Sequence, residues 1–253
     1  MIELLPEGVS AWLAVVLVAA SIVASAISAA TSLGGGSIML AVLALIVPQP
    51  TLVPIHGVLQ LGSNLSRFWF MRAHVPAGVG FPLFAAGCLA GAALGGLTAV
   101  HVPQGLMIAA LALFILWSVW GTMPAVMQRA GMLSGGLVSG AITMFVGATG
   151  PFVAALLRTR IHERMAFIAV HSACMSIQHT FKLAVFGALG FAYGPYVALI
   201  MAMVAGSILG SYLGRHVLVR LGDVRFQWLL KSILTVIALR LLWTSIDGLG
   251  VVL

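Results

Sequence analysis

Long apolar blocks, separated by short polar or glycine-rich stretches, cover almost the whole sequence. Several blocks, such as 11–30, 103–121 and 228–243, approach the 20 or so residues that a membrane-spanning helix needs. They lack the two-residue alternation that is typical of a transmembrane barrel. Because backbone polar groups in lipid must be satisfied within the protein, the pattern predicts an all-α, polytopic membrane helix bundle.

The blocks divide into ten predicted segments, five in each half of the chain. They lie at about 11–32, 36–47, 54–72, 76–99 and 103–121, and then at about 132–147, 150–157, 164–190, 193–214 and 226–246. The second and seventh segments are too short to span a bilayer. Each is predicted to form a broken helix or hairpin with its predecessor, with a glycine-rich tip near the midplane. Whether these two segments cross or re-enter stays open.

An internal repeat relates the two halves. Four matches in the same order carry it: Gly34–Gly36 with Ala148–Gly150, His56 with His171, Arg67 with Lys182, and Ala90–Gly95 with Ala205–Gly210. The last three share an offset of 115 residues, and the first offset is one residue shorter. The order predicts a duplication, with a first membrane repeat at 1–122 and a second at 129–253.

Basic residues mark alternate loops. Lys and Arg are absent from loops 48–53, 100–102 and 191–192, whereas Arg72, Arg129, Arg158, Arg160, Arg215 and Arg220 follow the odd-numbered segments. The positive-inside rule therefore places the basic loops in the cytoplasm and both termini outside. Since five segments per half is an odd number, the two repeats are predicted to be inverted, as in many secondary transporters.

Composition excludes several classes of protein. Hydrophobic residues make up 62% of the chain and charged residues 7%, with a mean hydropathy of +1.17, so a soluble domain is not expected. The net charge of +7 is scattered between apolar segments, which is not the clustered pattern of a nucleic-acid-binding surface. Glu3 and Glu7 precede the first block, where a cleaved signal peptide would be basic, so a retained first helix is expected.

Two segments at equivalent places in the repeats have a polar face. At 100° per residue, the third segment aligns His56, Gln60, Ser63, Asn64 and Arg67, and the eighth has His171, Met175, Gln178, His179 and Lys182. Polar side chains inside a membrane usually face a cavity or one another. They are predicted to line a substrate path, and interhelical hydrogen bonding is the alternative. Arg67 and Lys182 could also extend to an interface, which suits Arg67 better because Lys182 lies deeper.

Glycine-rich breaks follow the first and sixth segments, at Ser32–Ser37 and Gly147–Pro151. Glycine permits unwound backbone, and a helix that restarts after it directs free N–H groups towards the break, which is an anion site. The predicted substrate-binding residues are Gly34, Gly35, Gly36, His56, Gln60, Asn64, Arg67, Gly147, Thr149, Gly150, His171, Gln178 and Lys182. Four-residue spacing predicts close helix packing at Gly87, Gly91 and Gly95 and at Gly206, Gly210 and Gly214.

Missing motifs narrow the function further. The sequence has no Walker-type phosphate-binding motif and no H-E-x-x-H zinc motif, so an enzyme is not expected, nor are a catalytic residue, a metal or a cofactor. The acidic residues Glu3, Glu7, Glu163, Asp223 and Asp247 all lie at segment ends or in loops. Without a carboxylate in a segment core, a cation substrate is disfavoured and an anion permease is favoured. An anion channel and a non-transporting assembly or sensor protein remain as alternatives.

The first helix ends in S-L-G-G-G, a polar third helix follows, and the small all-membrane chain is duplicated. In these features it resembles the sulfite exporter TauE/SafE family, at Gly34–Gly36, Gly147, Gly150 and Pro151. The resemblance implies a permease of the bacterial cytoplasmic membrane that moves a small inorganic or organosulfur anion, such as sulfite or a sulfonate, often outward. Two departures leave the anion unnamed: Leu40 stands where the family often has proline, and the second break reads G-A-T-G-P. The sequence also leaves open whether the chain forms a homo-oligomer.

Overall fold

The computed structural model describes residues 5–6, 9–31, 34–122, 125–217 and 224–248. The described part is all-helical, as predicted, with eleven α-helices and two short 3₁₀ turns. The helices of the first half are α1 (Ala11–Thr31), α2 (Gly35–Ile46), α3 (Gln49–Met71), α4 (Phe81–Ala99) and α5 (Gln104–Trp120). After a short α6 (Ala125–Arg129) come α7 (Met132–Val146), α8 (Gly150–Arg158), α9 (Arg164–Ala188), α10 (Val197–Val217) and α11 (Val224–Gly248).

Several helices have the length and composition of membrane spans. Three stretches, Ala11–Ala29, Phe81–Ala99 and Gly194–Gly214, are long and apolar enough to cross a bilayer, with mean hydropathies of 2.3, 1.6 and 1.9. Helices α3 and α9, with 23 and 25 residues, are equally long but more polar. At 1.5 Å per residue each extends about 35 Å, which exceeds the ~30 Å of a hydrocarbon core.

Helices α2 and α8 are short, as the sequence predicts. Their 12 and 9 residues extend only about 18 and 14 Å. Each follows a break at which a glycine has a left-handed backbone, with φ of 94° at Gly34 and 78° at Gly147. Only glycine adopts this conformation without strain from a Cβ atom, which explains why both breaks require it.

Glycine stripes bring two pairs of helices into close contact, which confirms the packing prediction for these residues. Helix α4 packs along α7, and α10 packs along α1. A Cβ at Gly87, Gly91 or Gly95 would collide with the backbone of α7, and one at Gly210 or Gly214 would collide with the backbone of α1. Small residues therefore set the close approach of these helices.

The two polar helices lie at the centre of the bundle. Helices α3 and α9 pack against each other, and α10 also contacts α3 while α4 also contacts α9. Helices α2 and α8 contact α3 and α9 respectively, and α5 pairs with α11. The apolar helices thus surround the polar faces of α3 and α9.

Two helices begin at places that differ from the prediction. Helix α3 begins at Gln49 and not near residue 54, because Pro48 and Pro50 suit a helix start and Pro54 is accommodated inside the helix. Helix α4 begins at Phe81 and not near residue 76, because Gly78 and Gly80 have φ of 75° and 82° and interrupt the chain.

Candidate functional site

A narrow cavity lies where the two glycine breaks meet α3 and α9. Its volume is about 30 Å³, which is room for one or two water molecules. It is lined by Ser28, Gly34, Gly36, Ser37, His56, Gln60, Asn64, Arg67, Ala148, Gly150, Pro151, His171, Met175 and His179. Both halves of the chain therefore contribute to this central cavity.

Arg67 places a buried guanidinium on the cavity. Only 4% of the residue is exposed. One terminal nitrogen donates to Asn64 Oδ1 at 3.2 Å, the other donates to Ser63 Oγ at 3.3 Å, and Nε has no partner. Asn64 is held in turn by its Nδ2, which donates to the Gln60 carbonyl at 2.8 Å. Arg67 is thus fixed inside the bundle by its own helix and does not extend to an interface.

No carboxylate neutralises this guanidinium within the part of the chain whose side chains are described. The acidic side chain described there belongs to Glu163, which caps the start of α9 by accepting hydrogen bonds from the N–H groups of Met165 and Ala166. These two hydrogen bonds hold the pKa of the Glu163 carboxyl below its usual range. The cavity therefore has a cation and, among the side chains that the structure describes, no matching acid.

Two histidines hold the beginnings of the short helices. His56 on α3 donates through Nε2 to the Gly36 carbonyl at 2.9 Å, and His171 on α9 donates through Nε2 to the Gly150 carbonyl at 3.1 Å. A carbonyl can only accept, so Nε2 carries the proton in both rings. Each ring then has a buried Nδ1 that finds no partner in the described part of the chain.

Helices α2 and α8 begin at the cavity. Neither has a side-chain hydrogen bond that caps its N-terminus. The first N–H groups of a helix have no partner within the helix, and with the helix dipole they favour an anion. The cavity thus combines a guanidinium, several polar side chains and two uncapped helix N-termini.

The chain matches the model of the sulfite exporter TauE/SafE family over residues 17–241. It belongs to this family. The match confirms the resemblance seen in the sequence and shows that the protein is a multi-pass membrane transporter and not an enzyme. The TauE/SafE family also implies an anion as substrate. No curated protein and no solved structure matches the chain significantly.

Eight of the predicted binding residues of this TauE/SafE transporter line the cavity. They are Gly34, Gly36, His56, Gln60, Asn64, Arg67, Gly150 and His171. Gly35 does not line it, because Gly35 packs against α1, where an added Cβ would collide with the Ala24 carbonyl and Ser28 Oγ. A Cβ at Gly36 would instead be 3.5 Å from the Gln60 side chain, at ordinary contact distance.

The remaining four predicted residues form a buried layer behind the cavity. Lys182 Nζ donates to the Gly147 carbonyl at 3.2 Å, and Thr143 Oγ1 donates to the same oxygen at 3.1 Å. Gln178 Nε2 donates to Thr149 Oγ1. Lys182, Thr149 and Gln178 are fully buried, with 0% exposure. Lys182 therefore neither reaches an interface nor lines the cavity, because the carbonyl freed by the break binds its ammonium.

His179 lies on the cavity; the sequence predicted it on the polar face that lines a substrate path, but not among the substrate-binding residues. It is fully buried, and its ring makes an edge contact with His56 at a centroid distance of 6.1 Å. The sequence does place His179 on the polar face of α9. Because a polar face alone does not reveal which members reach the cavity, only the helix packing singles it out.

Two larger cavities have lining residues that belong to, or are close in sequence to, those around the central cavity. One of about 450 Å³ is lined by Arg158, Thr159, Gln128 and Pro151 among others, and Pro151 also lines the central cavity. The other, of about 380 Å³, is lined mainly by apolar residues that include Pro54 and Phe186. Phe186 follows Lys182 on α9 by four residues, about one helical turn, and Pro54 precedes His56 on α3 by two residues.

Proposed function

We propose that this transporter is a secondary permease that exports sulfite or a small organosulfonate across a bacterial cytoplasmic membrane. The central cavity is its substrate site. The observation that carries the proposal is Arg67, a buried guanidinium on the cavity with an unpaired Nε and no carboxylate partner among the described side chains.

Electrostatics favour an anionic occupant. A buried charge is costly unless it is paired, and the helix N-termini of α2 and α8 add positive potential at the same place. An oxyanion bound there neutralises Arg67 and accepts hydrogen bonds from the guanidinium and from backbone N–H groups. Gln60, Asn64 and Ser37 supply further polar contacts around the cavity.

Within the proposed site, the predicted residues divide into two roles. The eight lining residues contact the anion. Gly35, Gly147, Thr149, Gln178 and Lys182 position the two breaks, and Lys182 adds a second positive charge behind them. This division follows from the hydrogen bond of Lys182 to Gly147 and from the packing of Gly35 on α1.

The inverted repeat belongs to the same proposal, with repeats at 1–122 and 129–253 exchanged by a two-fold axis in the membrane plane. Helices α2 and α3 begin at Gly35 and Gln49, and α8 and α9 begin 115 residues later at Gly150 and Arg164. The packing pairs α4 with α7 and α1 with α10 are exchanged by the same operation. His56 and His171 then occupy equivalent positions.

The size of the cavity supports a carrier over a channel. Sulfite has four heavy atoms, whereas a cavity of about 30 Å³ holds one or two waters. The site must therefore widen to bind the anion, as in alternating access. An inside-negative potential drives anion export by about 2.3 kcal/mol per charge and 100 mV, or about 50-fold.

The decisive experiment is a binding and flux comparison with a matched control. Purified protein is titrated with sulfite, sulfate, thiosulfate and methanesulfonate, and the anion that binds is then followed in proteoliposomes at a clamped potential. Arg67→Gln should weaken binding by about 10-fold or more, since a hydrogen bond to a charged group contributes about 1.5–3 kcal/mol. Arg72→Gln is the control, because Arg72 is exposed and its guanidinium contacts Trp69, donating to the carbonyl and lying over the ring, and does not line the cavity. Equal binding in the two variants would contradict the proposed site.

A further inference from the structure

His179 differs from the other two histidines of the cavity because neither of its ring nitrogens makes a hydrogen bond to a described residue. Nδ1 and Nε2 are both buried and have no partner among the residues that the structure describes, and His179 has 0% exposure. His56 and His171 each use Nε2 to hold a backbone carbonyl. His179 therefore makes no hydrogen bond that fixes a helix, yet it lies on the cavity wall.

The surroundings of His179 are positive. Its own helix α9 carries His171 and Lys182, and α3, which packs against α9, carries His56 and Arg67. Helix α9 also carries Arg164 and Cys174. The other elements that pack against α9 carry few further charged or titratable side chains: Cys88 on α4, Arg158 on α8, and Arg72 and His74 in the 3₁₀ turn at 72–74. Helix α7 has none. Glu163 lies at the start of α9.

This environment responds to an anion in the cavity. While the cavity is empty, a further positive charge on His179 is repelled by Arg67 and Lys182 and has no acceptor to bind. An oxyanion beside the ring reverses both effects, because it offsets the two cations and offers acceptors to an N–H donor. An imidazolium has two such donors, whereas a neutral imidazole has one.

We propose that His179 takes up one proton from solvent when the anion binds, so that the proton is a co-ligand of the anion site. This inference rests on the proposed anion site and deepens it. The step is a reversible proton transfer: an O–H bond of a hydronium ion breaks as a ring nitrogen of His179 gains an N–H bond, and the proton returns to water when the anion leaves. Because binding and protonation are linked, anion affinity rises as pH falls, by up to about tenfold per pH unit.

Calorimetry can count the protons. Sulfite binding is measured at one pH in buffers of different ionisation enthalpy, for the wild type, for His179→Asn, and for His101→Asn as an exposed control histidine. Asparagine is chosen because Asn64 is the repeat equivalent of His179 and cannot titrate. Methanesulfonate has no titrating proton at neutral pH, so it is measured in parallel to keep protonation of the anion out of the comparison. The wild type and the control should take up about one proton more per sulfite than His179→Asn, and an equal number in all three would overturn the inference.

A second measurement does not require the variant to bind sulfite. The protein is labelled with ¹⁵N at histidine, and the His179 signals are identified by their loss in His179→Asn. On saturation with sulfite at constant pH, the wild-type signals should move from neutral-imidazole to imidazolium positions. Bound sulfite with a His179 that stays neutral would overturn the inference while leaving the anion site intact. Absence of sulfite binding to the wild type would overturn both.

Discussion

His56 and His171 make the same hydrogen bond in opposite halves of the protein. Each lies on a long central helix and donates through Nε2 to a backbone carbonyl in the first turn of a short helix, Gly36 at 2.9 Å for His56 and Gly150 at 3.1 Å for His171. The pair joins α3 to α2 and α9 to α8. The positions of both helix N-termini at the cavity therefore depend on these two rings.

The first prediction concerns this pair. His56→Ala and His171→Ala should each reduce anion flux by at least about tenfold and destabilise the protein by about 1–3 kcal/mol, because the buried hydrogen bond between a long and a short helix is lost and the missing ring leaves a cavity. Flux in proteoliposomes and thermal unfolding in detergent measure the two effects. As a control, His101→Ala should change neither the flux nor the thermal stability, since His101 is exposed and lies outside the cavity. Normal flux in both cavity variants would show that the rings do not position the helices.

The second prediction separates two adjacent glycines. Gly35→Ala should lower the yield of folded protein, because its Cβ would collide with the Ala24 carbonyl on α1. Gly36→Ala should fold, because its Cβ would lie 3.5 Å from the Gln60 side chain, yet it should weaken anion binding by narrowing the cavity. Size-exclusion chromatography and anion titration report these outcomes. Normal folding of Gly35→Ala would contradict its assignment to helix packing.

The third prediction compares the two buried cations. Lys182→Met should keep most of the anion affinity but lower the flux, because the Gly147 carbonyl keeps only its hydrogen bond from Thr143 and the break loosens. Arg67→Gln should lose affinity itself, because Arg67 lines the cavity and Lys182 does not. Dissociation constants and initial flux at matched protein amounts distinguish the roles. A larger loss of affinity in Lys182→Met than in Arg67→Gln would contradict this prediction, because it would show that Lys182 and not Arg67 is the main cation that binds the anion.

The fourth prediction is topological. Single cysteines at His101 and Ala192 should react with an impermeant reagent from outside the cell, and those at Ala73 and Thr159 only from inside, because the basic loops follow the positive-inside rule. All four positions are exposed, whereas the native Cys88 and Cys174 are buried and should stay unlabelled. Labelling of 101 and 159 from the same side would exclude the inverted repeat.

Much of the fold follows from local patterns in the sequence. The apolar blocks predict all the long helices, and the spacing of His56, Gln60, Asn64 and Arg67 places them on one face, because helical periodicity is a property of neighbouring residues. The glycine stripe at Gly87, Gly91 and Gly95 likewise predicts close packing. The first residues of α3 and α4 differ from the predicted ones by about five positions, because prolines start α3 early and glycines delay the start of α4.

The roles of individual site residues were decided by contacts between distant parts of the chain. Lys182 and Gly147 lie 35 residues apart, and only the packing of α9 beside the second break turns the ammonium onto that carbonyl and away from the cavity. Gly35 faces α1 for a similar reason, and the ring nitrogens of His179 have no partner among the described residues. The sequence therefore determined which helices and polar faces exist, whereas the tertiary structure decided which polar atoms remain available to an anion, since hydrogen-bond partners depend on distance in space and not along the chain.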